Sequence, residues 1–297
     1  MRAAQVTGVL GFAAQAVAHG YIYRVTADNT VYPGWDINLD PRITPTPARI
    51  AYGGGTTFPV TDANSPAIAC NTVHNPAPGA IAEVRAGSDV TFHWSRWLYS
   101  HKGPLTAWMA PYEGDIADVN VNDLEFFKFG EETIDENGVW GTVKMLDDTN
   151  GTWTATIPAD IKPGNYIIRQ EIIALHFAVA TPDNLAFFQT GPQFYMTCFN
   201  FKVMGDGDAT PQGTKFPGAY DMSAPGLNWN LNSTEPYPVD GPALYKSEYT
   251  VDLEPKEQVV ISPTGNGEEA DAVYFEQQYA VLKAQGETTA YFDSIGG

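Results

Sequence analysis

The chain has 297 residues, 43% of them hydrophobic, with 28 glycines and 22 prolines, enough apolar mass for one large β domain or two smaller ones. Acidic residues outnumber basic ones 35 to 16, a formal net charge of -19. That balance argues against nucleic acid and anionic membrane as partners, since both are held by clustered Lys and Arg, and leaves a neutral polymer compatible.

Residues 1–18 read as a secretory signal peptide. Met1-Arg2 supplies a positive charge, a short apolar run follows, and Ala16-Val17-Ala18 offers small residues at the cleavage positions. Gln5, Thr7 and Gln15 interrupt the run, which is too short to span a membrane, and no later segment is apolar enough to do so. The mature chain is therefore expected outside the cell, beginning at His19.

Beyond residue 19, short strand candidates alternate with turn-rich segments. Val90, Phe92 and Trp94 alternate with polar neighbours at the strand period. Val139 to Met145, Trp153 to Ile157, Tyr166 to Phe177 and Gln193 to Val203 are expected to be strands as well. Segments such as Asn75-Pro76-Ala77-Pro78-Gly79 have turn chemistry. The pattern predicts an all-β, two-sheet sandwich with long loops. Up to about Pro242 the chain is expected to wrap that sandwich as ordered coil. Residues 251–297 hold nine acids and two bases, Lys256 and Lys283, and are expected to form a flexible acidic tail; a short helix over 268–284 is the alternative.

The two cysteines, Cys70 and Cys198, read as a disulfide in an oxidising compartment. Closing so long a loop stabilises the fold by about 4–5 kcal/mol in the chain-entropy model. Asn150-Gly151-Thr152 and Asn232-Ser233-Thr234 are glycosylation acceptor triplets at Asn150 and Asn232.

Five histidines occur, at 19, 74, 93, 101 and 176. Cleavage after Ala18 gives His19 two nitrogen donors on one residue, the α-amine and ring Nδ1, which close a six-membered chelate. The amine's pKa of about 7.7–8.0 lets a tightly bound metal displace its proton. One further imidazole would complete three nitrogens in a plane, a set that suits Cu(II). His93 alternates with apolar residues and is expected to face solvent.

His19-Gly20 after Ala-Val-Ala resembles the mature start of the fungal lytic polysaccharide monooxygenases of auxiliary-activity family nine. Ser100-His101-Lys102-Gly103-Pro104, Pro163-Gly164-Asn165-Tyr166, Glu171 to His176, Gln193-Phe194-Tyr195 with Cys198, Phe216-Pro217-Gly218-Ala219-Tyr220 and Gly241-Pro242 follow in the family's order. The resemblance spans roughly 19–245. It implies an immunoglobulin-like (fibronectin-III-like) β-sandwich catalytic domain, placed at 19–250, and a single copper ion. His19 and His101 would be the equatorial ligands, with Tyr195 axial. His176 and Gln193 would lie just outside the metal, and Cys70 would pair with Cys198. Tyr237 resembles the family's surface tyrosine, and Tyr21 is a further candidate for sugar contact.

The implied activity is oxidative cleavage of β-1,4-glucan, most simply cellulose, by a monomer that uses a reductant with oxygen or hydrogen peroxide. Cellobiose dehydrogenase or small phenols would be the electron donors. Gln170 departs from the pattern, since the family usually carries histidine there. Two other readings stay open on the same fold: a non-catalytic polysaccharide-binding module, and a copper-binding protein without oxidative activity.

Strand parity provides a check. Gln193 and Tyr195 share one face of a strand, about 7 Å apart, whereas Cys198 points to the other.

Overall fold

The computed structural model describes residues 19–73, 76–180 and 190–262. Its elements are β1 (Ile22–Ala27), β2 (Thr30–Pro33), β3 (Ala82–Arg85), β4 (Asp89–Trp94), β5 (Leu105–Tyr112), β6 (Phe127–Glu132), α1 (Gly141–Asp147), β7 (Thr152–Thr156), β8 (Gly164–Ala174), β9 (Gln193–Met204) and β10 (Val259–Val260). They form two five-stranded sheets, ordered β10-β2-β1-β4-β7 and β3-β9-β8-β5-β6. Among the strand pairings of the described residues, the edge pairings β10 with β2 and β3 with β9 are parallel and the others antiparallel. The expected two-sheet sandwich is the architecture found.

The alternation that predicted β4 and β9 is what builds the core. Val25, Phe92, Trp153, Ile168, Phe199 and Phe201 fill the space between the sheets. The opposite face of the second sheet is also covered. Ile167, Ile173, Phe194 and Cys198 pack there against Phe126, Phe216, Tyr220 and Leu227 from the loops. The coil after β9 is thus a third layer laid over the sheet. Cover on both faces explains why β8 is buried continuously from Tyr166 to Ala174, including the polar run Arg169-Gln170-Glu171 at its centre.

Two sequence-based expectations change. Val139 to Met145 is not a strand: Val139 and Trp140 lead into α1, which buries Gly141, Thr142 and Met145. Val139, Val143 and Met145 mimic strand alternation, but the buried positions 141 and 145 are one helical turn apart. His93 stands on the outer side of β4 but is partly buried, with Thr26 Oγ1 2.9 Å from its Nε2.

Residues 251–262 continue the fold past 250. Val259 and Val260 pair with Thr30 and Val31, and Lys256 forms an ion pair with Asp28, which Arg85 also holds at 2.6 Å. Residues 263–297, with the helix candidate at 268–284, lie outside the described residues, as do 1–18 and His74. Among the described residues no helix is long and apolar enough to cross a membrane.

Candidate metal centre

His19 enters the site just ahead of β1, and the backbone there runs unusually close to the chain following β4. A Cβ on Gly20 would stand 1.9 Å from the Arg96 carbonyl oxygen, so a side chain at this position is excluded. Ser95 N–H donates to the Tyr21 carbonyl (2.9 Å) and Tyr21 N–H to Ser95 Oγ (3.2 Å), locking the two segments together.

His101 lies on the loop between β4 and β5. Trp97 Nε1–H donates to its carbonyl at 3.0 Å, and its own N–H donates to the Leu98 carbonyl at 2.9 Å. Gly103 permits the second close approach: a Cβ there would lie 1.8 Å from the Ile173 carbonyl oxygen. Leu175 N–H donates to the Lys102 carbonyl (2.8 Å), which laces this loop to the end of β8. His176, in the turn just past β8, is thereby carried over His101, ring centroids 3.8 Å apart.

Tyr195 projects from the inner face of β9, as parity predicts, and Cys198 faces the other core. The rings of His19 and His101 are 5.2 Å apart, with Tyr195 5.4 Å from His19 and 6.4 Å from His101. Tyr195 donates its hydroxyl hydrogen to Gln193 Oε1 at 2.7 Å. Cys70 and Cys198 form the disulfide. His19, His101, His176, Gln193 and Tyr195, scattered over the sequence, thus meet at one end of the sandwich.

The ring nitrogens show whether a metal would fit. His19 Nδ1 and His101 Nε2 are both buried without a hydrogen-bond partner in the protein. His101 Nδ1 lies 3.1 Å from Ser100 Oγ. In the tautomer that donates this hydrogen, the Nε2 lone pair is left for another acceptor. Burial lowers the pKa of all three imidazoles. His101 falls to about 3, with the charges of His176 and His19 as secondary causes, and His176 to about 4, with His19 secondary. They are therefore neutral near pH 7, the form that ligates metal. Burial raises the Tyr195 phenol, which keeps its proton. Among the described residues no three His, Cys, Asp or Glu side chains converge as a metal cage. Two imidazole nitrogens are what the side chains offer, and they fit copper.

The sugar-contact candidates fare differently. Tyr237 is partly buried, its ring edge-on to Trp140 (5.0 Å) and Trp229 (5.5 Å) and its hydroxyl donating to the Gly226 carbonyl. These contacts belong to the outer core. Tyr21 turns its hydroxyl to Asp36 Oδ2 at 3.2 Å. Phe58, 54% exposed, stands 6.3 Å from the His19 ring, and Tyr99, 57% exposed, lies two residues before His101. Sequence reasoning missed both, because loop aromatics carry no period.

It also missed Trp97, whose ring meets Tyr195 at 4.9 Å and His101 at 5.7 Å. The Trp94-x-x-Trp97 spacing just before Ser100-His101 was the available signal. Gln170 connects here as well. Its Oε1 accepts from Trp94 Nε1–H at 3.1 Å, and Trp94 packs on Trp97 at 5.2 Å. The Asn150 and Asn232 acceptors are exposed.

The fold and site together define a two-sheet β-sandwich with two unpartnered imidazole nitrogens at one end, and comparison with known proteins specifies the family. The profile of Auxiliary Activity family 9 (formerly GH61) matches residues 19–238. The AA9 family lytic polysaccharide monooxygenase A of Geotrichum candidum is 38% identical over 242 residues, covering 80% of each chain. The one designated A from Gloeophyllum trabeum is 37% identical over 258 residues, covering 83% of this chain and 78% of that one. Among solved structures, the extended catalytic domain of H. jecorina LPMO9A superposes with a TM-score of 0.70 at 27% identity, covering 82% of this chain and 98% of that one. The chain belongs to Auxiliary Activity family 9: it is a lytic polysaccharide monooxygenase, an enzyme that cleaves polysaccharide oxidatively with copper and an external reductant.

Proposed function

We propose that this enzyme is secreted, begins at His19 after loss of residues 1–18, and oxidises β-1,4-glucan, cellulose first among them. The observation that carries the reading is the pair of buried, unpartnered ring nitrogens, His19 Nδ1 and His101 Nε2, on rings 5.2 Å apart. With the His19 α-amine they supply three nitrogens for one copper ion, and Tyr195 lies beside them.

Bound there, copper would supply the one-electron chemistry that lets oxygen or hydrogen peroxide oxidise a carbon of the glycosidic linkage. The protein's own residues do the rest. Ser100 and the Trp97–carbonyl bond fix the orientation of His101, much as outer hydrogen bonds orient ligands elsewhere. Tyr195 stays a neutral phenol because burial raises its pKa, and its hydroxyl hydrogen is donated to Gln193 Oε1. His176 lies over His101 at 3.8 Å between ring centroids and, with Gln193, would border the bound copper as polar groups just outside its ligands. Phe58 and Tyr99 offer exposed aromatic faces on which sugar rings stack, a role that Tyr237 and Tyr21 are less free to take. Cellobiose dehydrogenase or small phenols would deliver the electrons, the enzyme would act as a monomer, and Asn150 and Asn232 would carry glycans.

The test is incubation of the secreted protein with amorphous cellulose, with and without ascorbate, followed by mass spectrometry of the soluble products. Oxidised oligosaccharides that require reductant and vanish with chelator are expected. Products with unmodified ends, indifferent to chelator, would overturn the reading.

A further inference from the structure

A small cavity of about 20 Å³ is bordered by Tyr21 and Ile22 of the N-terminal segment, by Cys70 of the disulfide and by Met196 of β9. Three of its lining residues carry buried polar atoms without a hydrogen-bond partner: Trp35 Nε1, Tyr52 Oη and Asn71 Oδ1. Tyr52 is only 6% exposed. Leaving such groups unmet costs about 1–3 kcal/mol each, so three of them among the residues lining one cavity call for an occupant.

The chemistry of the three atoms selects it. The Trp35 indole can only donate, which repels a cation. Asn71 gives its amide hydrogen to the Thr56 carbonyl at 2.8 Å, so its Oδ1 can only accept, which repels an anion. The Tyr52 hydroxyl does either, and burial keeps it protonated. A neutral molecule that both donates and accepts is required. The volume admits one water, which needs roughly 10–15 Å³, and is far too small for a sugar.

The three residues come from separate segments of chain, and Asn71 adopts a left-handed backbone (φ 76°) to reach its place. Thr56, also on the cavity wall, is two residues from Phe58, and Thr56 Oγ1 accepts from the Phe58 N–H at 3.1 Å. We infer that this cavity binds one internal water, accepting from Trp35 Nε1–H, donating to Asn71 Oδ1 and pairing with the Tyr52 hydroxyl, and that this water fixes the loop carrying Phe58 beside His19. Fixing the loop matters for catalysis only through the polysaccharide reading above; the water site and the loop's order stand apart from it.

The test is NMR on the copper-free, ¹⁵N-labelled protein, whose seven tryptophans give separable indole signals. In the wild type, the Trp35 indole proton is expected to cross-relax with a water that outlasts molecular tumbling. Tyr52→Phe should weaken that signal severalfold. It should also lower the backbone order parameters of residues 53–58 from the rigid range, about 0.85, toward 0.6. A wild-type Trp35 indole with no long-lived water contact would overturn the site. A lost water signal with unchanged order at 53–58 would overturn its role in holding the loop. Either result is independent of whether the protein oxidises cellulose.

Discussion

Arg169→Met is the perturbation whose cost the structure defines best. Arg169 and Glu171 are both fully buried, and Arg169 Nη2 donates to Glu171 Oε1 at 2.5 Å. The same guanidinium donates to the Ala69 carbonyl through Nε (2.8 Å) and to the Ile68 carbonyl through Nη2 (2.8 Å), and lies 4.0 Å from the Phe216 ring centroid. Methionine has comparable reach but no charge, so it strands the Glu171 carboxylate with only the hydroxyls of Tyr220 (2.5 Å) and Thr106 (3.2 Å). Breaking a buried pair from one side costs about 3–5 kcal/mol. For a domain of this size that is a fall in Tm of roughly 6–20 °C. Urea denaturation of the copper-free protein measures it. Adding Glu171→Leu removes the stranded charge, so the double variant should recover part of the loss. An Arg169→Met protein within about 1 kcal/mol of the wild type would refute the reasoning, because a carboxylate in this core would then need no partner.

Three other outcomes follow from the site. Because the folded pKa values of His101 and His176 are depressed to about 3 and 4, the unfolded chain binds more protons once pH falls below about 6.5. Copper-free stability should therefore be full above that value and decline toward pH 4, by up to about 1.4 kcal/mol per pH unit for each imidazole, as thermal melts across the range will record. Phe58→Ala should weaken cellulose binding five- to tenfold, about 1–1.4 kcal/mol, without altering copper affinity; pull-down isotherms with unchanged retention would count against an aromatic platform there. Gln170→Leu removes the acceptor of the Trp94 indole and should cost about 1–3 kcal/mol in denaturation, while Gln170→His, able to accept the same hydrogen bond, should lose less.

The sequence carried the site better than the layers around it. Parity in β9 separated Tyr195 from Cys198 because strand geometry is local and period two leaves little freedom. The meeting of His19 with His101 rests on two glycine close approaches, at Gly20 and Gly103, and only the family likeness made it legible in advance. The 139–145 segment failed because a seven-residue helix and a short strand share an ambiguous apolar pattern, decided here by packing. Val259 and Val260 gave no sign of joining β2, since two residues have no period and their pairing depends on contacts such as Lys256 with Asp28 more than two hundred residues away in sequence. Phe58 and Tyr99 were invisible for a related reason: what marks them is where their loops end in space.

Copper(II) electron paramagnetic resonance on the secreted protein, compared with a form carrying one extra alanine before His19, tests the central claim most directly. The native chain should show three equatorial nitrogen donors, and the extended chain should lose the amine and bind copper more weakly by on the order of a hundredfold. Identical spectra and affinities for the two forms would contradict a metal held by the terminal residue.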